Sequence, residues 1–112
     1  MKPEEFVNSI KELVINENLN IYKDLFETTN VDDVTDLYWK NALSFFRLLS
    51  DSQKSVFYQI LRQVEVDTVS NIFAVLDGVT FLEGQERDFI LEYEGKKVNV
   101  DLQDIFLESE ED

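Results

Sequence analysis

The sequence predicts a mainly helical α+β fold: about four helices, one of them long and central, followed by a C-terminal β-hairpin and a short terminal helix. Three observations support this prediction. Apolar residues recur at helical spacing over most of residues 3–77. The pattern changes to partial alternation in residues 88–94, which is typical of a strand. A last apolar run with helical spacing follows Asp101.

The first 30 residues predict two short helices. Pro3 suits the first turn of a helix, and Glu4 and Glu5 favour its positive end. The polar run Asn16-Glu17-Asn18 is interpreted as a turn, and Thr28-Thr29-Asn30 ends the second helix. The apolar positions are Phe6, Ile10, Leu13 and Val14 in the first helix, and Ile21, Tyr22, Leu25 and Phe26 in the second.

A third helix is predicted from Asp32 or Asp33 to Leu49. At helical spacing its aromatic pairs, Tyr38-Trp39 and Phe45-Phe46, are more typical of core residues than of stacking platforms. The polar run 50–53 is interpreted as a break, and Ser50 or Asp51 can cap the next helix by accepting bonds from its free amides.

The fourth helix is predicted from about Ser52 to Leu76 or Asp77, with Gly78 as its left-handed stop. It would be about 40 Å long, enough to cross the domain. Its apolar arc is wide, which predicts packing on more than one side. The arc contains Phe57, Ile60, Leu61, Val64, Thr68, Ile72 and Val75, whereas Val66 and Phe73 fall outside it.

The segment after Gly78 predicts the hairpin and the terminal helix. Residues 88–94 and 97–100 are the two strands, joined by a turn at Gly95-Lys96. Residues 101–107 form the last helix, capped by Asp101 or Asn99. Residues 1–107 are then a single globular domain, and residues 108–112 are an acidic, frayed tail.

The charge of the chain restricts its partners. With 24 Asp and Glu against 10 Lys and Arg, the net charge is −14. Such a field repels nucleic acids and anionic membranes, so neither is expected as a partner. A basic protein partner, cations or a need for solubility remain as explanations. No apolar stretch has the length of a membrane span and the N-terminus lacks the pattern of a signal peptide, so a cytoplasmic location is expected.

The missing residue types restrict the chemistry. The chain has neither cysteine nor histidine. It therefore has no thiolate nucleophile, no disulfide, no cysteine ligand for a cluster or zinc, and no imidazole base. We expect no catalytic residues, no cofactor and no dedicated metal site. Any metal would be a hard ion such as Ca²⁺ or Mg²⁺, held by oxygen atoms.

Polar residues interrupt the apolar surface of the long helix, and three interpretations remain open. In the favoured one, Asp67 and Asn71 bond to a loop or the hairpin and lock it to the helix, with Ser70 at the surface. In the second, the arc is partly exposed and docks another chain, with Glu65 and Asp67 at its rim. In the third, Glu65 or Asp67 meets Asp101 or Asp104 in a ligand or cation pocket.

Three short segments resemble a group of small, uncharacterised bacterial proteins. They are residues 63–71 (QVEVDTVSN), Leu76-Asp77-Gly78, and residues 101–104 (DLQD). The resemblance covers roughly the second half of the chain. It implies no activity, and no functional residue is carried over from it.

These observations predict a non-enzymatic, acidic protein-interaction domain. An immunity-type or antitoxin-like inhibitor of a basic partner is one concrete form. The alternative is a small-ligand or hard-cation-binding domain, in which Asp67, Asn71 and Asp101 supply oxygen ligands. An enzyme with two acid–base carboxylates is the third class. Glu65 and Asp67 would be a poor pair for it, because residues two apart on a helix point in different directions.

A symmetric homodimer built on helical surface is a further expectation. Val66 and Phe73 lie roughly opposite the main arc of the fourth helix, near Arg62. A chain of 112 residues has few elements with which to cover such a helix, so apolar surface remains for a second copy. The alternative is a monomer in which the first and third helices cover the fourth completely.

Overall fold

The computed structural model describes residues 1–111. It confirms the mainly helical α+β fold, with a long central helix, a two-stranded antiparallel hairpin and a short terminal helix. In chain order the elements are α1 (Pro3–Ile10), a π-helical stretch (Lys11–Glu17), α2 (Asn18–Thr28), a 3₁₀ turn (Val31–Asp33), α3 (Leu37–Arg47), α4 (Asp51–Leu76), β1 (Glu92–Tyr93), β2 (Lys96–Lys97) and α5 (Leu102–Glu110).

The predicted turn at residues 16–18 is wrong, because the chain stays helical from Pro3 to Thr28. Glu17 and Asn18 both have right-handed helical backbone angles. The Asn16 Oδ1 accepts from Arg62 and the Asn18 Nδ2 donates to Glu65, both on α4, while the Asn16 Nδ2 donates to the Glu12 carboxylate one turn earlier. A tertiary contact thus replaces the local backbone bond that a turn would require.

Helix α3 is shorter than predicted at both ends. It begins at Leu37 and ends at Arg47, and only the 3₁₀ turn precedes it. The Asn30 Oδ1 accepts a bond from the Asp32 backbone N–H (3.0 Å), which holds this turn. Asp36 caps α3, because its Oδ1 accepts from the backbone N–H of Tyr38 (2.8 Å).

Helix α4 begins and ends as its capping residues predict. The Ser50 Oγ accepts from the Gln53 backbone N–H (3.2 Å), and the Gln53 Oε1 accepts from the Ser50 backbone N–H (2.8 Å). These two bonds form a capping box. After the helix, Gly78 has a φ of 78°, in the left-handed region that favours glycine.

Two apolar clusters lie along α4, one at each half, in a molecule that measures 50 × 35 × 24 Å. The helix formed by α1, the π-helical stretch and α2 runs antiparallel to α4, so α1 packs on its C-terminal half and α2 on its N-terminal half. The C-terminal cluster, which includes α5, contains Val7, Ile15, Val66, Val69, Phe73, Leu102 and Phe106. The N-terminal cluster is aromatic and contains Tyr22, Phe26, Trp39, Phe46 and Phe57.

The predicted buried arc of α4 is wrong at several positions from Ile60 onward. Val66 and Phe73, which fall outside that arc, are only 8% and 2% exposed. Ile60, Val64 and Ile72 belong to the arc and are more than half exposed. The two clusters contact different sides of the helix, so the buried direction rotates along its length. The prediction assumes one buried direction for the whole helix, so it averages over these two directions.

The hairpin is confirmed, but it is shorter than predicted. Two pairs join the strands, Glu92 with Lys97 and Tyr93 with Lys96. The turn is Glu94-Gly95, one residue earlier than predicted, and both residues have positive φ (51° and 81°). Two consecutive positive φ angles are typical of the tight turns that match the twist of a hairpin.

Helix α5 is capped from a distance rather than by Asp101 or Asn99. Asp101 precedes it with a φ of 53°, and its side chain makes no capping bond. The Asp77 carboxylate instead accepts from the backbone N–H groups of Leu102 (3.1 Å) and Gln103 (2.8 Å). This carboxylate therefore joins the end of α4 to the start of α5.

Residues 108–110, expected in the frayed tail, continue α5. The Glu110 carboxylate lies 3.1 Å from the Lys11 Nζ and 3.0 Å from the Arg62 Nη2. Arg62 also donates to the Asn16 Oδ1 (3.2 Å). This network holds the end of α5 against the π-helical stretch and α4. Asp112, the last residue of the predicted tail, lies outside the described residues.

Candidate functional site

The five residues of the predicted polar cluster do not form a metal-binding group. Glu65 is partly buried and faces α2, whereas Asp67, Asn71, Asp101 and Asp104 are exposed. Within residues 1–111, no group of three or more Asp and Glu side chains is arranged to hold a metal ion. The carboxylates of α4 and α5 therefore do not form a metal-binding group.

The prediction that Asp67 and Asn71 anchor a loop or the hairpin is wrong. The Asp67 Oδ1 accepts from the Gln63 Nε2 (2.9 Å), which lies one turn earlier on the same helix. Asn71 makes no hydrogen bond to the described residues through its side chain. Both residues are exposed, so neither side chain fixes the loop to the helix.

Ser70, expected at the surface, is instead a buried contact with α5. It is only 7% exposed. The Gln103 Nε2 donates to the Ser70 Oγ (3.1 Å) and lies 3.3 Å from the Ser70 backbone oxygen. A small residue at this position therefore lets α5 approach α4 closely, and the amide of Gln103 satisfies the buried hydroxyl.

Asn99 holds the long loop after α4, a role that the sequence pattern does not reveal. Its side chain is buried. The Asn99 Oδ1 accepts from the Leu91 backbone N–H (2.9 Å), and its Nδ2 donates to the backbone oxygens of Leu76 (2.6 Å) and Phe89 (2.8 Å). The only signal in the sequence is a single amide between Val98 and Val100.

Glu65 is a carboxylate held between two helices. Its Oε1 accepts from the Asn18 Nδ2 (3.0 Å), and its Oε2 is buried without a hydrogen-bond partner among the described residues. Burial raises the pKa of Glu65, while the bond from Asn18 and the charge of Arg62 act in the opposite direction. Burial is the largest of the three effects, and it raises the pKa because it penalises the charged form of the carboxylate.

The Glu65→Gln variant is expected to melt at a higher temperature than the original chain at pH 7. The raised pKa means that stability from the neutral form is complete below about pH 4.5 and is lost as the pH rises through the pKa of the folded state. An amide removes the buried charge and keeps an acceptor for Asn18. The gain is on the order of 1 kcal/mol, or roughly 4 °C.

Circular dichroism melts at pH 7 and pH 4 measure this effect. Glu17→Gln is the matched control, because Glu17 is exposed and the change in net charge is the same. The advantage of Glu65→Gln over the control should disappear at pH 4, where the original carboxyl is protonated. Equal melting temperatures for the two variants at pH 7 would show that burial of Glu65 costs nothing.

Tyr58 is a second residue whose pKa is raised. Burial, the negative charge of Glu27 and a hydrogen bond to it raise the pKa of Tyr58 to about 12. The Tyr58 hydroxyl donates to the Glu27 Oε1 (3.2 Å), so it joins α4 to the end of α2. Such a raised pKa suits a structural bond donor rather than an acid or base at neutral pH.

One side of α4 and the loop after it expose apolar residues, here called the α4 face and defined by Val64 and Ile72, the half-buried Val75, and Leu82 of the loop. Part of it lines a shallow cleft of about 450 Å³. The cleft has no charged residue in its lining, which consists of Thr68, Asn71, Ile72, Val75, Leu76 and Leu82. The part of the α4 face that lines the cleft is therefore uncharged, in a chain whose net charge is −14.

Comparisons with protein-family models, with curated proteins and with solved structures find no match to this chain. The helices within residues 1–111 include none that is both long and apolar enough to cross a membrane.

Proposed function

We propose that the chain is a non-enzymatic, cytoplasmic protein-interaction domain that binds a protein partner through the α4 face. The exposure of the α4 face supports the proposal. Val64 and Ile72 are more than half exposed on a helix whose other side is well packed. Contiguous exposed apolar surface on a small domain is typical of an interaction site.

The charges around the α4 face favour a basic partner. Asp67 is exposed one turn before Asn71, and Glu83, Glu86 and Asp88 are exposed in the loop that carries Leu82. The net charge of −14 adds long-range attraction for a positive surface and speeds its association. An immunity-type or antitoxin-like inhibitor that covers a basic protein is the functional class that fits this combination.

A small apolar ligand in the cleft is the second candidate. Its volume of about 450 Å³ lies within the range of ligand pockets. Asn71 and Thr68 supply the only side-chain polar groups of the lining. The cation form of this alternative has less support, because no carboxylate lines the cleft.

Two synthetic helical peptides test the proposal. Both carry leucines at positions i, i+4 and i+7, and the remaining exposed positions are lysine in one and glutamate in the other. We expect the lysine peptide to bind more tightly, and its affinity to fall as salt is raised from about 50 to 500 mM, since salt screens the attraction. Fluorescence anisotropy of the labelled peptides measures both affinities.

The Ile72→Asp variant should weaken binding of the lysine peptide at least tenfold, because it places a charge in the α4 face. Ile90→Asp is the matched control: Ile90 is similarly exposed but lies outside the cleft. Equal affinities of the two variants, or tighter binding of the glutamate peptide, would contradict the proposal. If an apolar dye binds the original chain and neither peptide displaces it, the small-ligand alternative is favoured.

A further inference from the structure

The loop between α4 and β1, residues 77–91, is long for a segment without a helix or strand. Loops of this length in small domains are usually either functional or disordered. This loop is bonded at both ends. Near its start the Val79 backbone N–H donates to the Ala74 backbone oxygen (2.9 Å), and near its end Asn99 bonds to the backbone of Phe89 and Leu91. The loop is therefore fixed to the helices that carry it.

A β-turn at residues 82–85, Leu-Glu-Gly-Gln, lies in the middle of the loop. The Gln85 backbone N–H donates to the Leu82 backbone oxygen (3.0 Å). Gly84 has a φ of 83°, whereas the φ of Glu83 is not positive. This is the pattern of a type II turn, which needs a left-handed angle at its third residue. Glycine adopts that angle without a steric cost, so the local sequence favours this turn.

Gln85 bonds to both backbone polar groups of Leu82. In addition to the turn bond, the Gln85 Oε1 accepts from the Leu82 backbone N–H (2.9 Å). The Gln85 Nε2 donates to the Arg87 backbone oxygen (2.9 Å), which fixes the orientation of the amide. Gln85 is half-buried, whereas the other residues of 79–90 are exposed. The sheltered side chain of this loop thus fixes the position of Leu82.

Leu82 is the residue through which the loop reaches the cleft of the α4 face. The other residues that line the cleft all belong to α4. Leu82 is 52% exposed, so burial alone does not hold it there, and its backbone bonds to Gln85 do. A wall that is fixed before a partner arrives does not have to be ordered on binding, which removes an entropy cost.

We propose that Gln85 is the positioning residue of the partner site, because it holds Leu82 as a fixed wall of the cleft. This inference rests on the proposed function and adds how the partner is bound: an apolar side chain of the partner packs between Leu82 and Ile72. Glu83 follows Leu82 at the corner of the turn and is exposed. The turn therefore places a carboxylate beside the wall, where it attracts a lysine or arginine next to the partner's apolar side chain.

A second copy of this chain does not fit this chemistry. Residues 77–91 carry four carboxylates and one cation, and each copy has a net charge of −14. A like-charged chain is repelled from such a loop. Val66 and Phe73, expected to face a second copy, belong to the buried C-terminal cluster instead. The site therefore favours a basic partner.

Binding of the labelled lysine peptide to two amide variants tests the role of Gln85. Gln85→Ala should raise the dissociation constant roughly fivefold or more, since the wall must then be ordered on binding. Gln59→Ala is the matched control: Gln59 is an exposed amide of α4 outside the cleft. Its dissociation constant should stay within about twofold of the original value. Equal affinities of the two variants overturn the inference.

Two glycine variants separate the position of the wall from overall stability. Gly84 and Gly95 have similar φ angles, 83° and 81°, and a Cβ at either would meet no atom of a non-adjacent described residue within 4 Å. Alanine at either position therefore strains only the backbone, and the two variants should lose similar amounts of melting temperature. Gly84→Ala should weaken peptide binding as Gln85→Ala does, whereas Gly95→Ala, in the hairpin turn, should not. Equal binding by the two glycine variants overturns the inference.

A double-mutant cycle shows whether Gln85 acts through Leu82. Leu82→Ala should weaken peptide binding, and adding Gln85→Ala should weaken it little further, because the wall is already gone. Additive losses overturn the positioning role. If the original chain does not bind the lysine peptide, the proposed function fails and this inference fails with it. If the original chain and Gln85→Ala bind equally well, this inference alone fails.

Discussion

The Phe106→Ala variant is expected to lose about 3–5 kcal/mol of the free energy of unfolding, the usual cost of emptying a fully buried phenylalanine site. Phe106 has no exposed surface, and its ring meets Phe73 edge to face at 5.6 Å between centroids. Together with Leu102 it is one of the two fully buried residues that α5 contributes to the C-terminal cluster. Its removal should therefore weaken the packing of α4, α1 and α5 together. Urea unfolding followed by circular dichroism measures the loss.

Leu107→Ala is the neighbouring control for this variant. Leu107 is 40% exposed, so its truncation removes fewer contacts and leaves no closed cavity. It should cost about 1 kcal/mol or less. A similar loss for the two variants would mean that α5 does not pack through Phe106.

The limits of α4 are predictable from the sequence because local chemistry sets them. Ser50 and Gln53 satisfy each other's backbone groups within one turn, and Gly78 adopts a left-handed angle that other residues avoid. Neither feature depends on how the rest of the chain folds. The length of the central helix therefore follows from the sequence alone.

The buried side of α4 is not predictable by the same means. Its N-terminal half is covered by α2 and α3, whereas its C-terminal half is covered by α1 and α5. Apolar residues lie on both sides of the helix, and a helical projection cannot show which of them meets a partner. Val66 and Ile72 are both apolar, yet only Val66 is buried.

The polar anchors escape prediction because their partners are distant in sequence. Asp77 caps a helix that begins at Leu102, and Asn18 bonds to Glu65. Short polar side chains favour turns and caps close to themselves, so Asn16 and Asn18 predict a turn. In the folded chain, tertiary bonds satisfy these side chains and the backbone remains helical. The candidate site differs from the predicted one for the same reason: it is the uncharged face of α4 rather than its polar residues.

Replacement of Asn99 by alanine is expected to cost about 2–4 kcal/mol, since three partly buried backbone groups lose their partner at once. These groups are the Leu91 N–H and the backbone oxygens of Leu76 and Phe89. Water cannot replace the side chain easily, because Asn99 is only 4% exposed. The variant should also raise the rate of amide hydrogen exchange at Leu91, as the loop after α4 loses its attachment.

Asn71→Ala is the control, because Asn71 is exposed and its change should stay within about 0.5 kcal/mol. Asn99→Asp adds a sharper test. Its carboxylate can still accept from Leu91 but cannot donate to the two backbone oxygens, so at pH 7 it should be at least as unstable as the alanine variant. Near pH 3 the protonated carboxyl can donate to one of these oxygens, and part of the stability should return relative to alanine. If the aspartate and alanine variants respond identically to pH, the donor role of Asn99 is not what holds the loop.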